Sequence, residues 1–287
     1  MKLAGRGIII TGSSQGLGRE IARQAIIEGA SVVLSARNRE LLEQTRQELS
    51  GIARDGQHVF AAEADVSRPD EVGRLFQFAV ERLPSLTGLV NNAGVYGPKG
   101  AVGNVDWDEW RTAVEVNLFG TVLPCSIGVP LFRKSGYGKI VNLSGGGATA
   151  PLPFLSAYAA SKAAVVRFTE TLAEETRDAG IDVNALAPGA LNTKMLDEIL
   201  AAGPEKVGAK YYEKAVKQKR EGGASLDRAA ALCMFLLSAE SDGITGRLIS
   251  AVWDRWEELP GRKSALSATD VYTLRRIVAR DRGLDWD

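Results

Sequence analysis

The chain has 287 residues, with 35 Lys and Arg against 35 Asp and Glu, 45% hydrophobic and 24% charged. That is ordinary globular composition, which excludes a disordered chain, and zero net charge removes the electrostatic reason to expect nucleic-acid or membrane-surface binding. One His (His58) and two Cys (Cys125, Cys233) leave no disulfide framework and no metal cluster, so no metal is expected and proton transfer falls to Tyr, Lys, Ser, Asp or Glu.

The expected elements alternate along the chain. Strands are read at Gly7–Thr11, Ser31–Ala36, His58–Ala64, Gly88–Asn91, Lys139–Leu143 and Asp182–Ala187. All are Val/Ile/Leu-rich without polar alternation, the pattern of parallel strands covered on both faces. Helices are read between them at Leu17–Glu28, Arg39–Ser50, Pro69–Arg82 (with Ser67 as its cap), Trp107 to about Leu123 and Ala157–Ala179. Residues 190–225 break the rhythm with Gly203-Pro204, Gly208 and Gly222-Gly223 around a Lys-rich piece. This stretch reads either as a solvated surface helix with glycine hinges or as a lid over a pocket. A helix at Asp227–Ser238 and a strand at Arg247–Val252 follow. The βα repeats predict an α/β fold, a doubly wound Rossmann-type parallel sheet of about seven strands flanked by helices. No apolar run approaches eighteen residues, and only three apolar residues precede the first Thr-Gly turn. A transmembrane helix and a signal peptide are therefore not expected, and the expected location is cytoplasmic.

The first strand runs into Thr11-Gly12-Ser13-Ser14-Gln15-Gly16-Leu17-Gly18, and a helix follows. Glycines there let the chain turn tightly and let a pyrophosphate approach the helix N-terminus, whose free N–H groups and dipole favour an anion. The second strand ends Ser35-Ala36-Arg37-Asn38, with no carboxylate. An acidic residue at that place holds the ribose 2′-hydroxyl of NAD, whereas an Arg accommodates a 2′-phosphate. Arg37 therefore favours NADP(H) over NAD(H).

Tyr158 and Lys162 are four residues apart at the start of a helix, on one face. A free phenol is a poor acid or base at neutral pH, but a neighbouring ammonium stabilises the phenolate and lowers its pKa. The pair is thus expected to exchange a proton near neutrality.

These pieces together resemble the short-chain dehydrogenase/reductase family, in its compact single-domain branch. The resemblance rests on the glycine turn 11–18, Asp65-Val66, Asn91-Asn92-Ala93-Gly94, Asn117, Ser144, Tyr158-Ala-Ala-Ser-Lys162, Pro188-Gly189 and Thr193, in the family's order over residues 5 to about 250. It implies hydride transfer between a nicotinamide and a small-molecule carbonyl (ketone or aldehyde) or alcohol. Tyr158 is implied as general acid/base, Lys162 as its tuner and ribose ligand, Asn117 as the anchor of a relay water, and Ser144 as the group polarising the substrate oxygen. The implied cofactor residues are Gly12, Ser14, Gln15, Gly16, Leu17, Gly18, Arg37, Asn38, Asp65, Val66, Asn92, Ala93, Gly94, Tyr158, Lys162, Pro188, Gly189 and Thr193. It also implies a homodimer or homotetramer.

Two features depart from the family pattern. The family's serine commonly lies thirteen residues before the tyrosine; that position is Gly145, and Ser144 is fourteen before. The glycine run 145–147 can absorb one residue and bring Ser144 into place; otherwise Thr149 or a backbone N–H polarises the oxygen. The chain also continues from Trp253 to Asp287, with Asp270–Arg280 expected as a helix capped by Thr269 or Ser267. The expected organisation is a domain over 1–252, including the lid, and an extension over 253–287. That extension packs on its own subunit or, the favoured expectation, on a neighbour. Two other functions stay open: a non-catalytic NADP(H)-binding sensor, for which the Tyr158/Lys162 pair is superfluous, and a sugar-nucleotide epimerase or dehydratase, for which the chain has little room.

Overall fold

A computed structural model describes residues 1–286. Seven parallel strands form one sheet: β1 (Gly7–Thr11), β2 (Ser31–Ala36), β3 (Val59–Glu63), β4 (Leu86–Asn91), β5 (Gly138–Leu143), β6 (Ile181–Ala187) and β7 (Leu248–Ser250), in the order β3-β2-β1-β4-β5-β6-β7. The expected doubly wound Rossmann sheet is therefore the observed one. The order reverses between β1 and β4, and the crevice outside the carboxyl ends at such a switch point is where ligands bind in this architecture.

Helices cover both faces. On one side α1 (Gly16–Ile27), α2 (Arg39–Ser50) and α10 (Leu226–Leu237) bury Ile21, Leu42 and Phe235 against Ile8, Val32 and Val141. On the other, α3 (Pro69–Arg82), α5 (Gly120–Ser135) and α6 (Ser156–Glu175) bury Phe76, Phe132 and Leu172 against Ile9, Leu89 and Ile140. Alternate residues of each strand thus enter different cores, which is why the strands read as unbroken apolar runs.

Several expectations need correction. The helix expected to end near Leu123 runs on: α4 (Trp107–Val114) passes through a π-turn (Glu115–Phe119) into α5. Residues 107–135 are long and apolar enough to cross a membrane by length and composition alone. Here that helix is a core element, with Cys125 and Phe132 packed against Leu89 and Ile140 of the sheet. Ser67 does not cap α3; its Oγ donates to Asp65 at 2.7 Å, and Arg68 takes the cap position without a side-chain bond. Residues 190–225 are no long loop. They form α7 (Lys194–Ala202), α8 (Pro204–Val207) and α9 (Ala209–Glu221), joined at their base by a bridge between Leu191 and Ala224.

The expected helix at 270–280 is absent. The tail instead forms a 3-10 stretch (Trp256–Arg262) and α11 (Lys263–Ala268), then turns beside β7 and ends in a second 3-10 stretch (Ala279–Arg282). There the Leu248 N–H donates to Tyr272 O at 2.8 Å, and the Leu274 N–H to Glu170 Oε1 at 2.6 Å. Backbone groups that pair with the body of the fold do not need a helix to satisfy them. Trp256, Leu259 and Leu266 are buried in the main core of their own chain, whereas Trp253, Ile277 and Trp286 are exposed.

Candidate active site

The glycine turn leaves β1 at the switch point. Gly12 takes a positive φ of 62°, and a Cβ on Gly18 would stand 2.3 Å from Gly12 O, so no larger residue fits there. Helix α1 begins without a side-chain cap and without an acidic residue in its first turn. Its N-terminus is left as an anion site. Asn92 fixes the opposing wall: its Nδ2 donates to Thr11 O and Gly12 O at 3.0 Å each, while Thr11 Oγ1 accepts from the Asn92 and Ala93 N–H groups at 3.0 and 3.1 Å.

Between these walls lies a cleft of about 710 Å³. Gly12, Ser14, Gln15, Gly16, Leu17, Gly18, Arg37, Asn38, Asp65, Val66, Asn92, Ala93, Gly94, Ser144, Tyr158, Lys162, Pro188 and Thr193 all line it. Asn117, which is buried, and Gly189, which is exposed, are not among the lining residues. Gly189 instead packs on Val252, whose Cγ2 a Cβ would meet at 2.6 Å. Arg37 is largely exposed, its guanidinium 3.9 Å from Asp65 Oδ2. Asn38 Oδ1 caps α2 by accepting from the Leu41 N–H at 2.9 Å. Burial pushes the Asp65 carboxyl up, but hydrogen bonds from Ser67 and the charges of Arg37 and Arg68 outweigh it and hold it below the ordinary value.

At the other end, Tyr158 and Lys162 project from the first turns of α6, both buried. Lys162 Nζ donates to Leu143 O at 2.7 Å and lies 5.9 Å from the Tyr158 ring centre. Asn117 sits in the π-turn with its carboxamide fully engaged. Its Oδ1 accepts from the Val95 N–H at 2.8 Å, and its Nδ2 donates to Val95 O and Ser161 Oγ at 2.9 Å each. Its backbone carbonyl accepts from Thr121 Oγ1 at 2.9 Å.

Residues 6–203 match the family model described as short chain dehydrogenase. The chain belongs to the short-chain dehydrogenase/reductase family. It is 37% identical over 246 residues to 3beta-hydroxysteroid dehydrogenase 1 of Eggerthella lenta, covering 85% of this chain and 91% of that one. Among solved structures, a levodione reductase superposes with a TM-score of 0.80 at 28% identity, covering 92% of this chain and 99% of that one. A gluconate 5-dehydrogenase from Burkholderia cenocepacia, in complex with NADP and tartrate, gives 0.76 at 27% identity, covering 87% and 94%. As a family member the chain is a nicotinamide-dependent dehydrogenase/reductase acting on alcohol and carbonyl groups.

Two expectations about the chemistry of this short-chain dehydrogenase change in the structure. Ser144 is not brought to the phenol: its Oγ is sealed from solvent and has no hydrogen-bond partner. The residue aimed at Tyr158 is Gly145, where a Cβ would lie 2.1 Å from the Tyr158 hydroxyl. The one-residue offset thus leaves the position that faces the phenol without a side chain. Nor is the phenol made acidic in the ligand-free protein. Burial, and to a smaller degree the Tyr211 phenol, raise the Tyr158 pKa above its ordinary value. Burial lowers Lys162 to about 8. At 5.9 Å from the ring the ammonium is too distant to overcome desolvation of both groups.

Sequence reasoning missed one part of the site. A buried amide chain runs beneath it: Asn91 Nδ2 donates to Asn142 Oδ1 at 2.8 Å, and Asn142 Nδ2 to Thr169 Oγ1 at 2.9 Å. An Asn inside an otherwise apolar strand was its available signal. Beside it lies an apolar cluster of Leu155, Leu196, Ile199 and Val207 around Tyr158, with Tyr96 and Tyr211 packed against it. It covers the phenol with helices α7 to α9.

Proposed function

We propose that the chain is an NADP(H)-dependent oxidoreductase that interconverts a ketone or aldehyde with an alcohol, Tyr158 serving as general acid/base. The observation that carries this reading is the convergence of Tyr158 and Lys162 on the far end of the cleft that begins at the glycine turn. The cleft fits a dinucleotide: an uncapped helix start and close-packed glycines at one end, an arginine at the end of β2, and a buried lysine at the other end.

In this reading the 12–18 turn holds the pyrophosphate, Arg37 the 2′-phosphate, Asp65 and Val66 the adenine, and Lys162 the nicotinamide ribose. Asn92, Ala93 and Gly94 support the cleft, and Pro188, Gly189 and Thr193 flank the nicotinamide. The nicotinamide supplies the hydride in reduction and accepts it in oxidation. Tyr158 Oη gives its proton to the carbonyl oxygen as the alcohol forms, and takes it back in the reverse direction. Lys162 stabilises the resulting phenolate. The Asn117 carbonyl, which accepts from Thr121 Oγ1, anchors the water that reprotonates the phenol. A cytoplasmic homo-oligomer completes the reading. Tyr158→Phe keeps the ring and removes only the proton carrier. Turnover on a carbonyl panel is expected to fall at least 100-fold, while NADPH still binds by fluorescence titration and more tightly than NADH. Undiminished turnover in Tyr158→Phe, or equal affinity for the two dinucleotides, overturns the corresponding part of the reading.

A further inference from the structure

A dinucleotide brings the negative charge of its diphosphate to the middle of the cleft, and the glycine turn meets it with backbone N–H groups alone. Residues 12–18 hold no Lys or Arg, and Arg19, the next residue, is tied to Glu48. Two of the cations that line the cleft serve its ends. Arg37 stands at the end of β2 beside Asp65, and Lys162 Nζ is held by Leu143 O next to Tyr158. Among the described residues that line the cleft, one further cation remains, Lys194.

Its place is set by the residue before it. Thr193 meets the glycine turn from the opposite wall: a Cβ on Gly16 would stand 3.6 Å from Thr193 Cγ2 and 3.9 Å from its Cβ, ordinary van der Waals contact. Lys194 follows as the first residue of α7, one Cα step of about 3.8 Å further on. Its four-carbon stem can therefore carry the ammonium over the turn. The side chain is exposed and has no ion-pair partner among the described residues. A helical lysine finds its partners at carboxylates three and four residues away, and α7 offers both, Asp197 and Glu198. Each is taken by a cation from another element. Lys219 Nζ lies 2.7 Å from Asp197 Oδ1, and Lys99 Nζ lies 3.4 Å from Glu198 Oε2. The fold commits both local counter-charges to α9 and to the segment after β4, and leaves Lys194 to the cleft.

We propose that Lys194 is the cation for the diphosphate of the dinucleotide, facing it from the start of α7 across the cleft from the glycine turn. A diphosphate is common to NADPH and NADH, so Lys194 strengthens both, whereas Arg37 acts on NADPH alone.

The inference rests on the cleft being the dinucleotide site, and the test separates the two. NADPH and NADH are titrated by fluorescence, with no carbonyl substrate present, into the parent, Lys194→Met, Lys194→Arg and Lys134→Met, a loss of one charge far from the cleft. Lys194→Met is expected to weaken both dinucleotides about tenfold, the low end for a charge-assisted hydrogen bond because the cleft is open to water. Its affinity should also fall less steeply than the parent's with added NaCl, since one screened attraction is gone. Lys194→Arg keeps the charge and is expected to bind within about threefold of the parent; Lys134→Met is expected to bind as the parent does. If Lys194→Met binds both dinucleotides within about twofold of a parent that binds them, the Lys194 inference fails and the reading of the cleft stands; a raised KM for the carbonyl substrate in that case would assign the ammonium to a substrate anion instead. Loss confined to NADPH would place Lys194 on the 2′-phosphate and overturn the inference. Equal loss in Lys194→Met and Lys194→Arg, or in Lys134→Met, would overturn it too, because a local charge would not be the cause. A parent that binds neither dinucleotide defeats the inference and the reading together.

Discussion

Lys162 is a charge held at a cost to the fold. It is 4% exposed, its Nζ meets the neutral Leu143 carbonyl, and burial alone drags its pKa from 10.5 to about 8. At about 1.4 kcal/mol per unit, keeping this ammonium costs roughly 3 kcal/mol at neutral pH. The sign follows from proton counting. Below pH 8 both folded and unfolded chains carry the proton and the penalty is fully present. Between pH 8 and 10.5 the unfolded chain holds more protons than the folded one, so stability rises with pH across that window. Lys162→Met removes the penalty and keeps the volume, but leaves Leu143 O without its donor, a loss of about 1 kcal/mol. The variant is therefore expected to be about 2 kcal/mol more stable than the parent at pH 7, inactive, and to lack the parent's rise between pH 8 and 10.5. Urea unfolding at pH 7 and pH 10, with no dinucleotide present, measures both quantities. A variant less stable than the parent at pH 7, or one with the same pH dependence, would refute the reasoning.

Arg37→Ala is expected to weaken NADPH binding 10- to 100-fold, about the 1.5–3 kcal/mol of a charged hydrogen bond, and to leave NADH within threefold; equal loss for both counts against the 2′-phosphate contact. Ser144→Ala removes a buried hydroxyl that has no partner. Its stability should be unchanged or up to about 1 kcal/mol higher in thermal melts, with kcat within twofold; a tenfold fall in kcat would return Ser144 to the reaction. Truncation after Val252 deletes Trp256, Leu259 and Leu266 from the core. At roughly 1.5–3 kcal/mol each, that approaches the whole stability of a typical domain, so the truncated chain should not fold; a soluble protein with the parent's melting temperature would show the extension to be dispensable.

Local signals made most of the fold readable. Strand runs, the Gly29 and Gly51 helix stops and the glycine turn are each encoded within a few residues, and α2 is observed over the same residues as expected. The π-turn at Glu115–Phe119 was hidden because helical periodicity barely changes when one residue is added to a turn. The tail helix was misread because propensity ignores the sheet edge and α6, where Tyr272 and Leu274 respectively find their partners.

The sequence alone determined the sheet class, the place of the dinucleotide turn, the arginine beside it and the Tyr158/Lys162 spacing, since each is a property of neighbours along the chain. Only the tertiary structure decided which hydroxyl faces which. Ser144 and Gly145 are adjacent in sequence, but it is position 145 that the fold sets against the Tyr158 hydroxyl. Tyr96 and Tyr158 are far apart in sequence, yet the fold brings their rings together and burial raises the pKa of both.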